Sequence, residues 1–175
     1  MQVVRFGVLA VLVAVQLLVG TTVACPVELD TNGHAEVVDR TISASQFSNC
    51  AKMTSVTIRN ITGDIGKGAF YRLQNLREVT IGEGVPHLGI NMFNQCRKLE
   101  IVTMSNGVTT IDEYAFYECT SLTEIIIPDS VTSIHKYAFA KCSGMQSLTL
   151  GSSVRTISSH AFYYCISLTS VTIPD

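Results

Sequence analysis

The feature that most constrains this chain is a repeat of 23 residues that recurs without insertion over most of its length. Three columns of apolar residues keep this step. The columns are Phe47, Phe70, Phe93, Phe116, Phe139 and Phe162; Ile42, Ile65, Leu88, Ile111, Ile134 and Ile157; and Cys50, Leu73, Cys96, Cys119, Cys142 and Cys165. A fixed period of this length is typical of a solenoid, in which every unit is the same small supersecondary element.

The first half of each unit predicts a strand followed by a turn. In "CTSLTEIIIPDSVTSIHKYAFAK" the side chains of Leu122, Ile125 and Ile127 alternate towards one face, and Thr, Val and Ile favour strands. The "PDS" that follows is replaced in other units by "GEG", "SNG" and "GSS". All of these are turn-forming sequences, so each strand should end at this place.

The second half of the unit predicts two more short segments. Val131 and Ile134 point inward on a second extended piece. Ala138, Phe139 and Cys142 then follow at nearly helical spacing, which predicts one helical turn.

These units predict an α/β leucine-rich-repeat solenoid with a parallel β-sheet on its concave face. Each 23-residue repeat supplies one short strand and one helical turn. A single unit cannot bury its own apolar side, whereas stacked units form one continuous core. Parallel strands stack at ~4.8 Å, so six of them give a sheet ~25 Å wide.

Residues 1–24 have the pattern of a secretory signal peptide. A positive charge precedes the apolar run of residues 6–20, and cleavage is expected after Ala24. An uncleaved signal anchor is one alternative. A lipid-modified Cys25 is another, although the residue three before it is not the leucine that such a signal prefers. With no second apolar segment in the sequence, the mature chain is expected to be exported without a transmembrane span.

The rest of the chain divides into a cap and the repeats. Residues 25–49 are expected to hold an N-terminal cap and half a repeat, because only Ile42 and Phe47 fit the columns and "CPVELDTNGH" replaces the first half. Residues 50–175 hold five full units and a truncated sixth. Because the sequence stops directly after the strand "LTSVTI", we expect either a fragment or a last strand that is covered by a partner or by self-association.

The repeat resembles the BspA-like, or Treponema-type, leucine-rich repeat. The resemblance is carried by "CTSLTEIIIPDSVTSIHKYAFAKC" and covers about residues 41–175. Departures include Leu73 in place of Cys, and Gln46 and Met92 in place of Ala. The resemblance implies a surface or secreted protein of a bacterium or protist, often one that adheres to host proteins or cells. A fold does not by itself define a function.

Five of the six cysteines occupy one column of the repeat, and that column also accepts Leu73. A position shared by Cys and Leu is an apolar packing position, where a free thiol behaves as a small hydrophobe. We therefore expect a structural column of unbridged thiols at Cys96, Cys119, Cys142 and Cys165. Cys25 lies outside the column. A Cys25–Cys50 disulfide that holds the cap in place is one possibility, and two free thiols are the other.

Several classes of function lack support in the sequence. A formal net charge of −2 without a basic cluster argues against nucleic acid as a partner. No C-x-x-C pair occurs, and the 23-residue step places thiols in a row, which argues against zinc. The four histidines fall at different repeat positions beside no nucleophile, so neither catalysis nor a cofactor is expected.

The concave sheet face is the predicted ligand-binding surface, and a protein ligand is the predicted partner. The predicted contact residues are Ser55, Glu78, Ile101, Glu124, Ser147 and Ser170 in one column, Thr57, Thr80, Thr103, Ile126, Thr149 and Thr172 in the next, and Arg59 beside them. One alternative is a structural surface or envelope component that self-associates through its last strand. Another is a Thr array that binds ice or carbohydrate, which Ile126 and the two glutamates interrupt. Thr is also simply the commonest polar strand former.

One modification site is predicted. Asn60-Ile61-Thr62 is an N-glycosylation sequon in a turn column that also holds Glu83 and Asn106. Such a column should be exposed, so Asn60 is expected to be modified if a eukaryote secretes the chain.

Overall fold

The computed structural model describes residues 25–38 and 41–174. The signal peptide predicted for residues 1–24 lies outside this part of the chain. Within the described residues, no helix has the length and apolar character needed to cross a bilayer.

Eleven short strands form the framework of the described residues, and from β3 onward they alternate between a main sheet and a second sheet, both parallel. The strands are β1 (His34–Val38), β2 (Ser55–Arg59), β3 (Glu78–Ile81), β4 (His87–Leu88), β5 (Ile101–Met104), β6 (Thr110–Ile111), β7 (Glu124–Ile126), β8 (Ser133–Ile134), β9 (Ser147–Thr149), β10 (Thr156–Ile157) and β11 (Ser170–Thr172). We call one full turn of this winding a coil. Each coil contributes one strand to the main sheet, and most coils contribute a second, two-residue strand to the other sheet.

The main sheet is built from β1, β2, β3 and β5 in one block and β7, β9 and β11 in another. Every pair is parallel, and from β2 onward each residue lies beside the residue 23 positions later, as Val56 beside Val79. The strands form here because Val, Thr and Ile alternate between a buried and a solvent face. The second sheet has the order β10-β8-β6-β4, and a separate isolated bridge joins Ile42 to Ile65 in the same column of the repeat.

A stack of phenylalanine rings fills the centre of the solenoid. Phe47, Phe70, Phe93, Phe116 and Phe139 are all completely buried. Consecutive ring centroids lie 4.6 to 5.3 Å apart, with planes within 17° of each other. Parallel rings at this spacing bury large apolar areas and add a stacking contribution of about 1 kcal/mol per pair. The step of 23 residues therefore keeps identical side chains in contact along the whole core.

The predicted helical turn is wrong, because the described residues contain no helix at all. In the segment expected to be helical, Tyr137 and Lys141 both have positive φ, 58° and 60°, and the same two columns have positive φ in the neighbouring coils. Left-handed residues at both ends limit each bend to three residues, which is too short for a helix. Backbone N–H groups within the bend also donate hydrogen bonds to carbonyls of the next coil. In the preceding coil, for example, the N–H of Phe116 donates to the Ala138 carbonyl at 2.7 Å.

The first half of the N-terminal unit is present, contrary to the expectation that "CPVELDTNGH" replaces it. Residues 34–38 form β1, which pairs along its full length with β2. The register joins Ala35 to Val56, so the offset is 21 residues and not 23. The bridge between Ile42 and Ile65 restores the usual step. The connection after β1 is therefore two residues shorter than in later coils, and a search at a fixed step of 23 cannot align β1.

Candidate functional site

The structure places the predicted contact residues in two aligned columns on the solvent side of the main sheet, which we call the sheet face. Ser55 lies beside Glu78 and Thr57 beside Thr80, and the same columns continue through β5. In the second block, Glu124 lies beside Ser147 and Ile126 beside Thr149, and β11 extends both columns with Ser170 and Thr172. All of these side chains are exposed or half-buried.

Strand β1 adds two residues to this face that the sequence did not reveal. His34 extends the column of Ser55, and its Nδ1 lies 2.9 Å from the Ser55 hydroxyl. Glu36 extends the column of Thr57, and its carboxylate lies 3.6 Å from the guanidinium of Arg59. The alternation in "HAEVV" is the signal that could have identified this strand.

The main sheet is interrupted between β5 and β7. Within residues 41–174, these two strands belong to the two separate blocks of the main sheet, and no ladder pairing joins them. Pro128 accounts for one missing bond, because it has no N–H to give to the Met104 carbonyl. In the two preceding coils, Gly82 and Ser105 donate the equivalent bonds at 2.8 Å. Proline is not the whole cause, since β9 and β11 pair normally just before Pro174.

A cleft of about 290 Å³ opens at this interruption. It is lined by Glu100, Ile101, Val102, Thr103, Met104, Thr123, Glu124, Ile126 and Pro128. Ile101 and Ile126 are 53% and 63% exposed, and each stands in a column that is otherwise polar. Val102 and Met104 are only partly buried, whereas the corresponding residues of β3 are fully buried. The cleft thus combines an apolar wall with an accessible apolar floor.

Carboxylates surround the apolar part of the cleft. Glu78 and Glu124 stand one coil to either side of Ile101 in its column, and both are exposed. Among the described residues neither has a basic partner within salt-bridge distance. Glu100 also lines the cleft, but its carboxylate is engaged by Arg77. The surroundings of the cleft are therefore net negative.

Comparison with known proteins identifies the repeat. A family model described as the BspA type leucine rich repeat region matches residues 40–169 with six copies. This chain belongs to the BspA-type leucine-rich-repeat family. The match runs from just before the Ile42–Ile65 bridge to the residue before β11.

Two solved structures resemble this BspA-type chain closely enough to compare. A leucine-rich repeat protein from Bacteroides ovatus is 30% identical, with a TM-score of 0.72, and the match covers 78% of this chain and 36% of that one. The leucine-rich repeat protein of T. pallidum is 25% identical, with a TM-score of 0.66, and the match covers 85% and 68% of the two chains. The chain thus spans 36% of the Bacteroides ovatus chain. No curated protein matches it in sequence.

The cysteines of these BspA-type repeats divide into a disulfide and a column of thiols. Cys25 and Cys50 are joined in the structure, with 4.7 Å between their Cα atoms. Cys96, Cys119 and Cys142 are free and buried, and Cys165 is free and half-buried. Burial raises the pKa of Cys96 to about 12 and the pKa of Cys165 to about 11. These thiols are neutral at physiological pH and therefore unsuited to nucleophilic chemistry.

Other chemistry has no assembled site in the part of the BspA-type chain that the structure describes. No three His, Cys, Asp or Glu side chains there converge as metal ligands. His160 stacks on Tyr137 with ring centroids 4.9 Å apart, and His34 contacts Ser55, its neighbour in the column.

Asn60 is exposed and lies directly after the end of β2, where its column predicts exposure. Its φ is +50°, and its backbone N–H donates to the Glu83 carbonyl at 2.7 Å. The side chain is therefore held at the surface of the BspA-type solenoid, while glycosylation at this site stays a prediction.

Proposed function

We propose that this chain is a secreted or cell-surface module that binds a protein ligand through the sheet face, in adhesion or recognition and without catalysis. The observation that carries the proposal is the sheet face itself: aligned columns of polar and apolar side chains, none of them covered by another segment of the described chain. Solenoids of this kind present extended surfaces that suit protein partners.

Location outside the cell is part of the proposal. It is supported by the apolar segment of residues 6–20 with its expected cleavage after Ala24. It is also supported by the Cys25–Cys50 disulfide, because such bonds persist in oxidising compartments. Edman sequencing of the reduced and alkylated protein from the culture medium would test export and cleavage, with alkylated Cys25 expected as the first residue.

The binding proposal is tested on a panel of immobilised extracellular-matrix proteins and on cultured host cells. We expect saturable binding that is lost in Thr80→Arg, which places a long charged side chain in the middle of the sheet face. Ser159→Arg is the matched control, because Ser159 is exposed on a bend away from that face. Absence of saturable binding, or equal loss in both variants, would refute a ligand site on the sheet face.

Self-association is a second candidate function. Its supporting observation is the exposed apolar surface of the last described coil, where Val171 and Ile173 are 49% and 72% exposed. Apolar surface of this kind is typical of contact sites. Sedimentation of the full chain over a range of concentrations tests this candidate. A single monomeric species at every concentration would exclude it, and Ile173→Lys should dissolve any oligomer that does form.

A further inference from the structure

The cleft between β5 and β7 is large enough to admit one bulky side chain of a partner. Its volume of about 290 Å³ lies just below the roughly 300–1,000 Å³ of pockets that hold drug-sized molecules. One large aliphatic side chain of a partner fits this space. The most tightly bound residues of protein interfaces insert into pockets of this kind, while the surrounding contacts exclude water.

The walls of the cleft are apolar at the positions where the rest of the sheet face is polar. Ile101 replaces the Ser or Glu of its column, and Ile126 replaces the Thr of its column. Both are more than half exposed. Covering them would remove apolar surface from water, and the partly buried Met104 beneath them would contact the inserted group. The apolar substitutions and the sheet interruption thus occur at one place.

Two carboxylates near the cleft determine which partner residues can flank the inserted side chain. Glu124 lines the cleft, and Glu78 stands beside Ile101 on its other side. The described residues give neither carboxylate a basic partner. A lysine or arginine next to the inserted side chain would pair with these carboxylates, whereas an acidic residue there would be repelled by them.

We infer that the cleft is a docking pocket for an extended protein segment in which a large aliphatic side chain is flanked by lysine or arginine. The inference rests on the proposed function, since it names the part of the sheet face that anchors the ligand. Glu124 pairs with a flanking cation, while Ile101 and Ile126 hold the aliphatic group. Backbone groups at the facing edges of β5 and β7, which no ladder bond between the two strands uses, are available to the bound segment.

The test uses the ¹⁵N-labelled full chain and the synthetic heptapeptide GSKLKSG, with GSELESG and GSKAKSG as controls. A single anchor of this kind is expected to give a dissociation constant of about 1 mM. Resonance shifts on titration with GSKLKSG should be confined to residues 78–81 and 100–128, the strand of Glu78 and the lining of the cleft. GSKAKSG should bind at least about fivefold more weakly, because the aliphatic anchor is missing.

Variants of the chain separate the contribution of the aliphatic contact from that of the charges. Ile126→Ala should weaken GSKLKSG at least about fivefold, whereas Thr149→Ala, one coil later in the same column, should change it by less than about twofold. Glu124→Lys should weaken GSKLKSG and strengthen GSELESG. The spectrum of each variant without peptide establishes that it is folded.

Failure of this inference is distinct from failure of the proposed function. Absence of shifts at millimolar GSKLKSG, shifts centred outside residues 78–81 and 100–128, or equal effects of Ile126→Ala and Thr149→Ala would overturn the docking pocket. If matrix binding then remained sensitive to Thr80→Arg, the sheet face would still be the ligand site. If matrix binding were absent while GSKLKSG bound as described, the pocket would stand and the adhesion proposal would fall.

Discussion

The thiol of Cys119 donates a hydrogen bond to the carbonyl oxygen of Phe93, 3.3 Å away in the preceding coil. The same bond recurs for Cys96, Cys142 and Cys165, at 3.1 to 3.2 Å. The thiol is therefore both an apolar filler and a donor to a carbonyl one coil earlier. Leu73 can fill the same position but cannot donate, which explains why the column accepts leucine and yet is mostly cysteine.

Removing one such thiol should destabilise the solenoid. We expect Cys119→Ala to lower the free energy of unfolding by about 1–3 kcal/mol, because a buried hydrogen bond is lost and a small cavity remains. Cys165→Ala should cost less, since Cys165 is only half-buried. Urea unfolding followed by circular dichroism measures both values. Equal effects of the two variants would contradict a role for burial.

Alkylation should distinguish the two kinds of cysteine. After unfolding without reductant, mass spectrometry is expected to find four alkylated thiols, at Cys96, Cys119, Cys142 and Cys165. In the folded protein Cys165 should react first, since it is the only free cysteine of the described chain that is not fully buried. Six alkylated cysteines in the unfolded protein would show that Cys25 and Cys50 are reduced.

Raised thiol pKa values predict that stability falls at alkaline pH. Burial raises the pKa of Cys96 from an ordinary value of 9.0 to about 12. Because the folded pKa is the higher one, the contribution of this thiol is complete below pH 9.0 and is lost as the pH rises through about 12. Relative to Cys96→Ala, the parent should lose up to ~1.4 kcal/mol more per pH unit in that window. Urea unfolding at several pH values measures the slopes, and parallel slopes would refute the expectation.

The Cys25–Cys50 disulfide should contribute strongly to the stability of the first coil. It closes a loop across a sequence separation of 25 that includes all of β1. A loop of this size is worth about 3 kcal/mol, and we expect the double variant Cys25→Ser, Cys50→Ser to lose about that much. The hydrogen-exchange rates of the β1 amides should rise in the same double variant. Unchanged protection of β1 would show that its pairing with β2 suffices.

The period of the sequence was enough to predict the coils but not the backbone conformation that closes each one. Ala138 and Cys142 are spaced as on a helix, and the same spacing fits two bends that end in left-handed residues. Glycine would have signalled positive φ, but Tyr137 and Lys141 occupy these positions. Side-chain composition therefore carried no information about the bend.

The other differences come from departures from strict periodicity. β1 was missed because the connection after it is two residues shorter, although its own alternation is clear. Ile101 and Ile126 were recognised as outward-facing, yet their shared position at a sheet interruption depends on pairing between coils. A repeat pattern predicts that pairing is continuous, so it cannot predict where pairing stops.

The interruption between β5 and β7 should be visible in solution as fast hydrogen exchange. In a parallel ladder, the amides of Val102 and Met104 face β7, whereas those of Val79 and Ile81, one coil earlier, face the paired β5. We expect Val102 and Met104 to exchange at least about 100-fold faster than Val79 and Ile81, because no ladder bond protects them. Amide exchange of the ¹⁵N-labelled full chain gives all four rates under one condition, with Val79 and Ile81 as internal controls. Equal protection of the two pairs would mean that the sheet is closed in solution, and the docking pocket would then have to open before it could accept a side chain.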